Sequence, residues 1–190
     1  IIGGGAAGFF AAANLDENKY YVTILEQNSD VLQKVKISGG GRCNVTQACF
    51  DPRELVNFYP RGNRELLSVF TKFQPRDTMD WFENRNVPLK IEKDNRVFPT
   101  TDSSQSIINA MTDEVRNKNF EVKTQVSVYE IIKENETYLI KTKQGDFTAD
   151  IVIYTTGSSP KSVKLIQNIG HKIVEAVPSL FTFNITDDLL

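Results

Sequence analysis

Three clusters of small and polar residues in this chain have the types and spacing to hold an anionic ligand. The first is Gly3-x-Gly5-x-x-Gly8 at the N-terminus. A dinucleotide pyrophosphate must sit against unsatisfied backbone N–H groups at the start of a helix, and side chains at these positions would block it. The first glycine permits a tight turn, the second lets the phosphate come near, and the third lets the helix pack on its strand. Glu26 lies 18 residues beyond Gly8, at the end of an apolar run. An acid there accepts hydrogen bonds from an adenosine ribose diol. It repels a 2′-phosphate, and Gln27 beside it supplies no positive charge, so NADP is disfavoured at this turn. The plainer alternatives are a glycine turn without a ligand and a solvated charge at a strand end.

The second cluster is Ser38-Gly39-Gly40-Gly41-Arg42-Cys43-Asn44. Fixing each glycine costs about 1 kcal/mol relative to alanine. Either the segment is a flexible tip or its backbone must approach something closely. Arg42, with Lys34 and Lys36 upstream, suits a flat or anionic ligand. Cys43 reads as a small buried hydrophobe rather than a reactive thiol. The third cluster, Tyr154-Thr155-Thr156-Gly157, ends an apolar run. Ligands of parallel α/β sheets collect at the carboxyl ends of strands, where small residues let a chain pass close to a cofactor. The only histidine, His171, follows Gly170 and reads as a helix-end residue favoured by the helix dipole.

These clusters need elements to position them. Ile1 and Ile2 look like the tail of a strand, residues 6–15 like a helix rich in alanine, and residues 20–26 like a buried strand. Together they make a βαβ unit and require a parallel sheet. A loop over 34–46 follows, then short helices over 52–86, with Pro52 and Pro75 in first-turn positions. Residues 87–97 predict a hairpin turning at Asp94-Asn95. Asp102-x-x-Gln105 resembles a capping box that opens a helix with an apolar face of Ile107, Ile108, Met111 and Val115. Strand patterns over 120–122, 126–133, 138–142 and 147–154 predict a β-meander returning to a buried strand at Ile151-Val152-Ile153. Ser159-Pro160 starts a last helix through Ile169, stopped by Gly170. The fold class expected is α/β: a Rossmann-like domain with a parallel sheet, a β-meander and a helical excursion.

Bulk properties narrow the function. At 190 residues and 40% apolar, the chain can bury one core of ordinary domain size. Its 22 basic and 24 acidic residues leave a net charge of −2, with the basic residues scattered along the sequence. Neither a nucleic-acid nor a membrane partner is expected from that balance. Two cysteines and one histidine make a disulfide framework or a zinc site of the usual type unsuited. No metal is expected, and a cytoplasmic location is.

GGGAAG at 3–8, KISGGGRCNVT at 36–46, RVFPTTDSSQS at 96–106 and the TTG turn together resemble the BaiN-like, aminoacetone-oxidase-like family of bacterial flavoproteins. The resemblance covers nearly the whole chain, and SGGGRCN and RVFP are its most specific parts. It implies an FAD-dependent oxidoreductase acting on a small organic substrate, with NAD(P)H as a possible reductant. It also implies that Gly3, Gly5, Ala6, Ala7 and Glu26 meet the ADP half of FAD, with Gly8 and Gln27 in the same turn region. The 38–44 loop, with Lys34, would lie beside the pyrophosphate and flavin. Val128 would offer its backbone to the adenine, and Thr156-Gly157 would close over the cofactor. Many relatives read A-T-G-G where this chain reads Thr-Thr-Gly-Ser-Ser-Pro-Lys. On this reading residues 1–180 are the N-terminal segment of a split FAD-binding domain, and 181–190, with Phe181 and Phe183 alternating, begin an inserted domain. No catalytic residue stands out. A redox-inert nucleotide-binding module and a tRNA-modifying flavoprotein remain alternative readings.

Overall fold

The computed structural model describes residues 1–174. Four short segments run parallel at its centre. Strand β1 (Thr23–Leu25) pairs with β5 (Glu121–Lys123), and Ile2 bridges Leu25 on one side and Tyr154 on the other. Ile2 donates to the Ile153 carbonyl and accepts from Thr155, each at 2.9 Å, while Gly3 donates to Leu25 at 2.9 Å. Gly3, Glu26 and Thr155 therefore leave the sheet at the same, carboxyl, edge. That single fact brings two of the three sequence clusters and the acid together.

Elements pack on both faces of the sheet, in the layered arrangement of α/β domains. On one face, α1 (Ala6–Ala13) lies against α6 (Ser104–Asn117). Small alanines let α1 approach closely. Phe9, Ile24, Ile107, Met111 and Val115 fill the space between them. The helical excursion contains α3 (Pro52–Leu55), α4 (Asn63–Phe70) and α5 (Pro75–Glu83). It is pinned to α1 by Phe10, whose ring centroid lies 5.1 Å from that of Trp81 and 5.6 Å from that of Phe73. The indole N–H of Trp81 donates to Asn14 at 3.1 Å, so the buried polar atom is satisfied. On the other face, β6 (Val128–Glu134), β7 (Thr137–Thr142) and β8 (Phe147–Ala149) form an antiparallel meander. With α7 (Pro160–Asn168) it buries Leu25, Ile131, Ile140 and Leu165.

Several expectations are corrected. The first part of the expected 34–46 loop is a helix, α2 (Gln33–Ile37), because the stretch lacks Gly and Pro and can bury Val35. The cap of α6 is Ser103, whose Oγ accepts from the Gln105 N–H at 3.3 Å. Asp102 sits at φ +50 with its carboxylate on Lys90 and Arg42. The strand at 121–123 belongs to the parallel sheet and not to the meander. Beyond β8 the run to Tyr154 is not a buried strand: Ile151 is 62% exposed, since an apolar run marks burial on both faces only where both are covered. The expected 20–26 strand is three residues long, and Tyr21 before it is 82% exposed. The hairpin is β3 (Leu89–Ile91) with β4 (Arg96–Pro99), turning through Asn95 at φ +64. A third strand, β2 (Thr46–Gln47), joins β4 and was too short to show a period.

Candidate dinucleotide site

The glycines of the first turn have three different environments. Gly3 has φ +108, and a Cβ on it would lie 2.6 Å from the Thr155 carbonyl oxygen. On Gly8 a Cβ would lie 2.1 Å from the Gly3 carbonyl oxygen, so helix and strand touch through bare backbone. Gly5, the N-cap of α1, has nothing within 4 Å of such an atom. No side chain caps α1 and no acid lies in its first turn. Its leading N–H groups are left without intrahelical partners and suit an anion.

These groups open on a cleft of about 560 Å³ between the turn, β1, β6 and the start of α7. Gly3, Gly5, Ala6, Ala7, Gln27 and Lys34 line it, as do Glu26, Val128, Thr156 and Gly157. Glu26 is buried, at 8% exposed. One carboxylate oxygen accepts from the Gly4 N–H at 2.8 Å, and the other from Asn28 through its backbone (2.8 Å) and its side-chain amide (2.7 Å). The acid thus fastens the glycine turn to the end of β1 while still lining the cleft. Gly4, which the fingerprint leaves free, is tight too, though less so: a Cβ there would lie 3.0 Å from Glu26 Cβ. Sequence reasoning missed Asn28; a side-chain amide two residues past the acid was its only signal. It also missed Ser158, Ser159 and Ser162 on the same wall.

Thr156 and Lys34 complete this cleft. The Thr156 hydroxyl is buried with no hydrogen-bond partner among the described residues. Buried hydroxyls are seldom left so, which fits a ligand atom in the cleft. Lys34 is exposed on α2, with its Nζ 3.6 Å from where a Cβ on Gly157 would be. Among the described residues it makes no ion pair. Val128 begins β6, an edge strand of the meander, just before a register shift between Val128 and Glu130.

A second cleft of about 480 Å³ adjoins the first and shares Ala6, Ala7 and Lys34 with it. Its walls are mostly apolar (Phe10, Phe73, Phe82, Met111), with Ser38, Cys43 and Asn44 at one side. The N-terminus of α1 and Lys34 therefore stand at the seam between a polar cleft and an apolar one.

The middle of the 38–44 loop does not reach either cleft. Gly39, Gly40 and Gly41 have φ of +57, +67 and +85, and a Cβ on Gly39 would lie 2.9 Å from the Phe98 ring. Only Gly39 is held close, between Asn44 and the Phe98 ring of β4; Gly40 has nothing within 4 Å of such an atom. Arg42 lines neither cleft: its guanidinium lies 3.9 Å from the Phe98 ring centroid, 2.6 Å from Glu92 and 3.3 Å from Asp102. It ties the loop to the hairpin. The Lys90 ammonium first, and then Arg42, hold the Asp102 carboxyl below the ordinary carboxylate range.

Burial pushes the Cys43 thiol up, partly offset by a hydrogen bond with Ser38. A buried, protonated thiol is a poor nucleophile. At pH 8, iodoacetamide should label the half-buried Cys49 before Cys43, as peptide mass mapping would show; faster labelling of Cys43 would make it a reactive wall of the apolar cleft. His171 is exposed at the end of α7, donating its backbone N–H to Ile166 at 3.1 Å, and lines neither cleft. Among the described residues no group of three His, Cys, Asp or Glu could hold a metal ion, and no helix is long and apolar enough to cross a membrane. Phe181, Phe183 and the domain boundary expected at 180 lie outside the described residues.

The family model described as the HI0933-like protein Rossmann domain matches residues 1–178. Among curated proteins, the chain is 27% identical over 190 residues to a 3-dehydro-bile acid delta(4,6)-reductase of Clostridium scindens, covering 95% of this chain and 46% of that protein. It is 23% identical over 198 residues to a ribosomal RNA dihydrouridine synthase of Escherichia coli, covering 100% of this chain and 48% of that protein. The chain thus spans about half the length of the curated relatives it matches. Among solved structures, THI4 of Thermovibrio ammonificans superposes with a TM-score of 0.59 at 14% identity, over 88% of this chain and 59% of that one. Glycine oxidase of Geobacillus kaustophilus gives 0.52 at 12% identity, over 89% and 57%. These structures share the fold.

Proposed function

This chain belongs to the HI0933-like Rossmann-domain family, and from that premise we propose that it is the FAD-binding part of a flavoprotein oxidoreductase. The observation that carries this reading is the pair of clefts meeting at the uncapped start of α1. A module for an adenine nucleotide alone needs only the polar cleft; the adjoining apolar one is suited to a flat ring joined through a pyrophosphate. In this proposal Glu26 accepts from the adenosine ribose with its remaining lone pairs. The α1 amides and Lys34 neutralise the pyrophosphate, and the edge of β6 at Val128 borders the adenine. Thr156 supplies the hydroxyl that has no partner among the described residues. Ser38, Cys43 and Asn44 border the ring side, and Arg42 holds their loop in place from outside. Bound FAD would supply the transfer of a hydride or an electron pair, while the protein orients it and excludes water. NAD(P)H is the proposed reductant and a small organic molecule the proposed substrate, in line with the bile acid named for the Clostridium relative.

The test is the identity of the cofactor released by acid from the full-length protein, read by mass. FAD is the expected result; FMN alone, or no flavin after reconstitution, overturns the reading. A finer check is Thr156→Val. It should weaken FAD binding by about 1 kcal/mol, the net value of one hydrogen bond, while leaving the FAD-free protein as stable or slightly more so. A loss of stability without a change in FAD affinity would make the hydroxyl structural.

A further inference from the structure

The peptide between Gly3 and Gly4 is flanked by two residues without a Cβ, so sterics place few limits on its rotation. Both ends of it are nevertheless held, by side chains arriving from the segments on either side of Ile2. Its N–H, on Gly4, donates to Glu26 Oε2 at 2.8 Å. Its carbonyl, on Gly3, lies 2.9 Å from the Thr155 hydroxyl. The same hydroxyl lies 3.0 Å from the Ile2 carbonyl, but that carbonyl already accepts from the Thr155 backbone N–H at 2.9 Å. The Gly3 carbonyl accepts from no backbone N–H among the described residues. A hydroxyl has one proton to give, and the Gly3 carbonyl is where it is needed.

The rest of Thr155 packs on the same turn. Its carbonyl oxygen lies 2.6 Å from where a Cβ on Gly3 would be, and its hydroxyl oxygen 2.9 Å from where one on Gly8 would be. Thr155 thus touches the first and third glycines of the fingerprint while its hydroxyl holds the peptide between them. A hydrogen bond accepted by a peptide carbonyl polarises the whole group and strengthens what its N–H donates. The Thr155 hydroxyl, the Gly3–Gly4 peptide and the Glu26 carboxylate therefore form one chain of two hydrogen bonds. Without the hydroxyl the peptide is free to turn, its N–H leaves Glu26, and the carboxylate keeps only the hold of Asn28 on its other oxygen.

We propose that Thr155 is a positioning residue for Glu26: acting through the Gly3–Gly4 peptide, it holds the carboxylate in the orientation that reads the two hydroxyls of an adenosine ribose. The inference rests on the dinucleotide reading of the polar cleft and adds to it a residue outside the glycine fingerprint. The test compares T155A with T155S in the full-length, FAD-free protein. Both lose the methyl, and only T155S keeps the hydroxyl. ADP and 2′,3′-dideoxy-ADP, titrated by calorimetry, are the probes. The parent should prefer ADP by about tenfold or more, the scale of charge-assisted hydrogen bonds from the diol. T155S should keep that preference. In T155A it should fall below about threefold, because a carboxylate held on one side only no longer meets both hydroxyls at once. T155V, which keeps the volume without the hydroxyl, should match T155A. A role confined to stability would lower the melting temperature and weaken both nucleotides alike, leaving their ratio at the parent's value. That unchanged ratio in T155A and T155V, a ratio lost equally in T155S, or no preference for ADP in the parent would each overturn the proposal. The expected ratios in a protein that takes up no flavin would support the role of Thr155 while overturning the FAD reading.

Discussion

Gly5→Val is expected to empty the cofactor cleft of a protein that still folds, and Gly8→Ala to do the reverse. At Gly5 the backbone has φ −88 and ψ −170, which valine adopts without strain, and the space around its absent Cβ is open. The new Cβ would therefore have no protein atom within 4 Å of it, and the side chain would stand where, on the proposed FAD reading, the pyrophosphate approaches the α1 amides. Loss of two charge-assisted hydrogen bonds there is worth about 3 kcal/mol, a fall in FAD affinity of about a hundredfold. At Gly8 the added methyl would lie 2.1 Å from the Gly3 carbonyl oxygen and 2.9 Å from Thr155 Oγ1. Backbone on one side cannot move aside, so overpacking at the upper end of its range, about 3 kcal/mol, should appear as a lower urea midpoint even without cofactor. Chemical denaturation of the FAD-free proteins together with FAD titration by calorimetry separates the two effects. If Gly5→Val lowers stability as much as affinity, the open space at Gly5 is not the ligand's.

Glu26→Ala carries the second large effect, and the structure splits it in two. Removing the carboxylate strands the buried Gly4 N–H and both Asn28 donors, so apo stability should fall by about 2 kcal/mol. Loss of the ribose acceptor should separately weaken FAD binding by about 1–3 kcal/mol. Asn28→Ala offers the control. It removes one 2.7 Å hydrogen bond to Glu26 and leaves the carboxylate in the cleft, so stability should drop modestly while affinity is largely kept. Were Glu26→Ala to lose stability with its FAD dissociation constant unchanged, the acid would be a clamp on the turn and nothing more.

The sequence by itself determined the parallel α/β class, the glycine turn and the acid that faces it. Those features are local: a strand end, three glycines and a helix of small residues must lie within a few residues of one another, and the spacing from Gly8 to Glu26 is set by one βα unit. It likewise marked Thr156 and Gly157, because the run before them is apolar up to Tyr154. What the tertiary structure decided is which small-residue clusters face the cleft. Gly39 and Arg42 have the composition of a ligand loop, yet Gly39 packs against Phe98 and the Arg42 charge is taken by Glu92 and Asp102, partners 50 and 60 residues away. No local pattern reports such pairing. The same holds for Ile151, whose apolar run lacked a cover on one face, and for the Glu26 carboxylate, whose bond to Gly4 depends on Ile2 and β1 lying side by side.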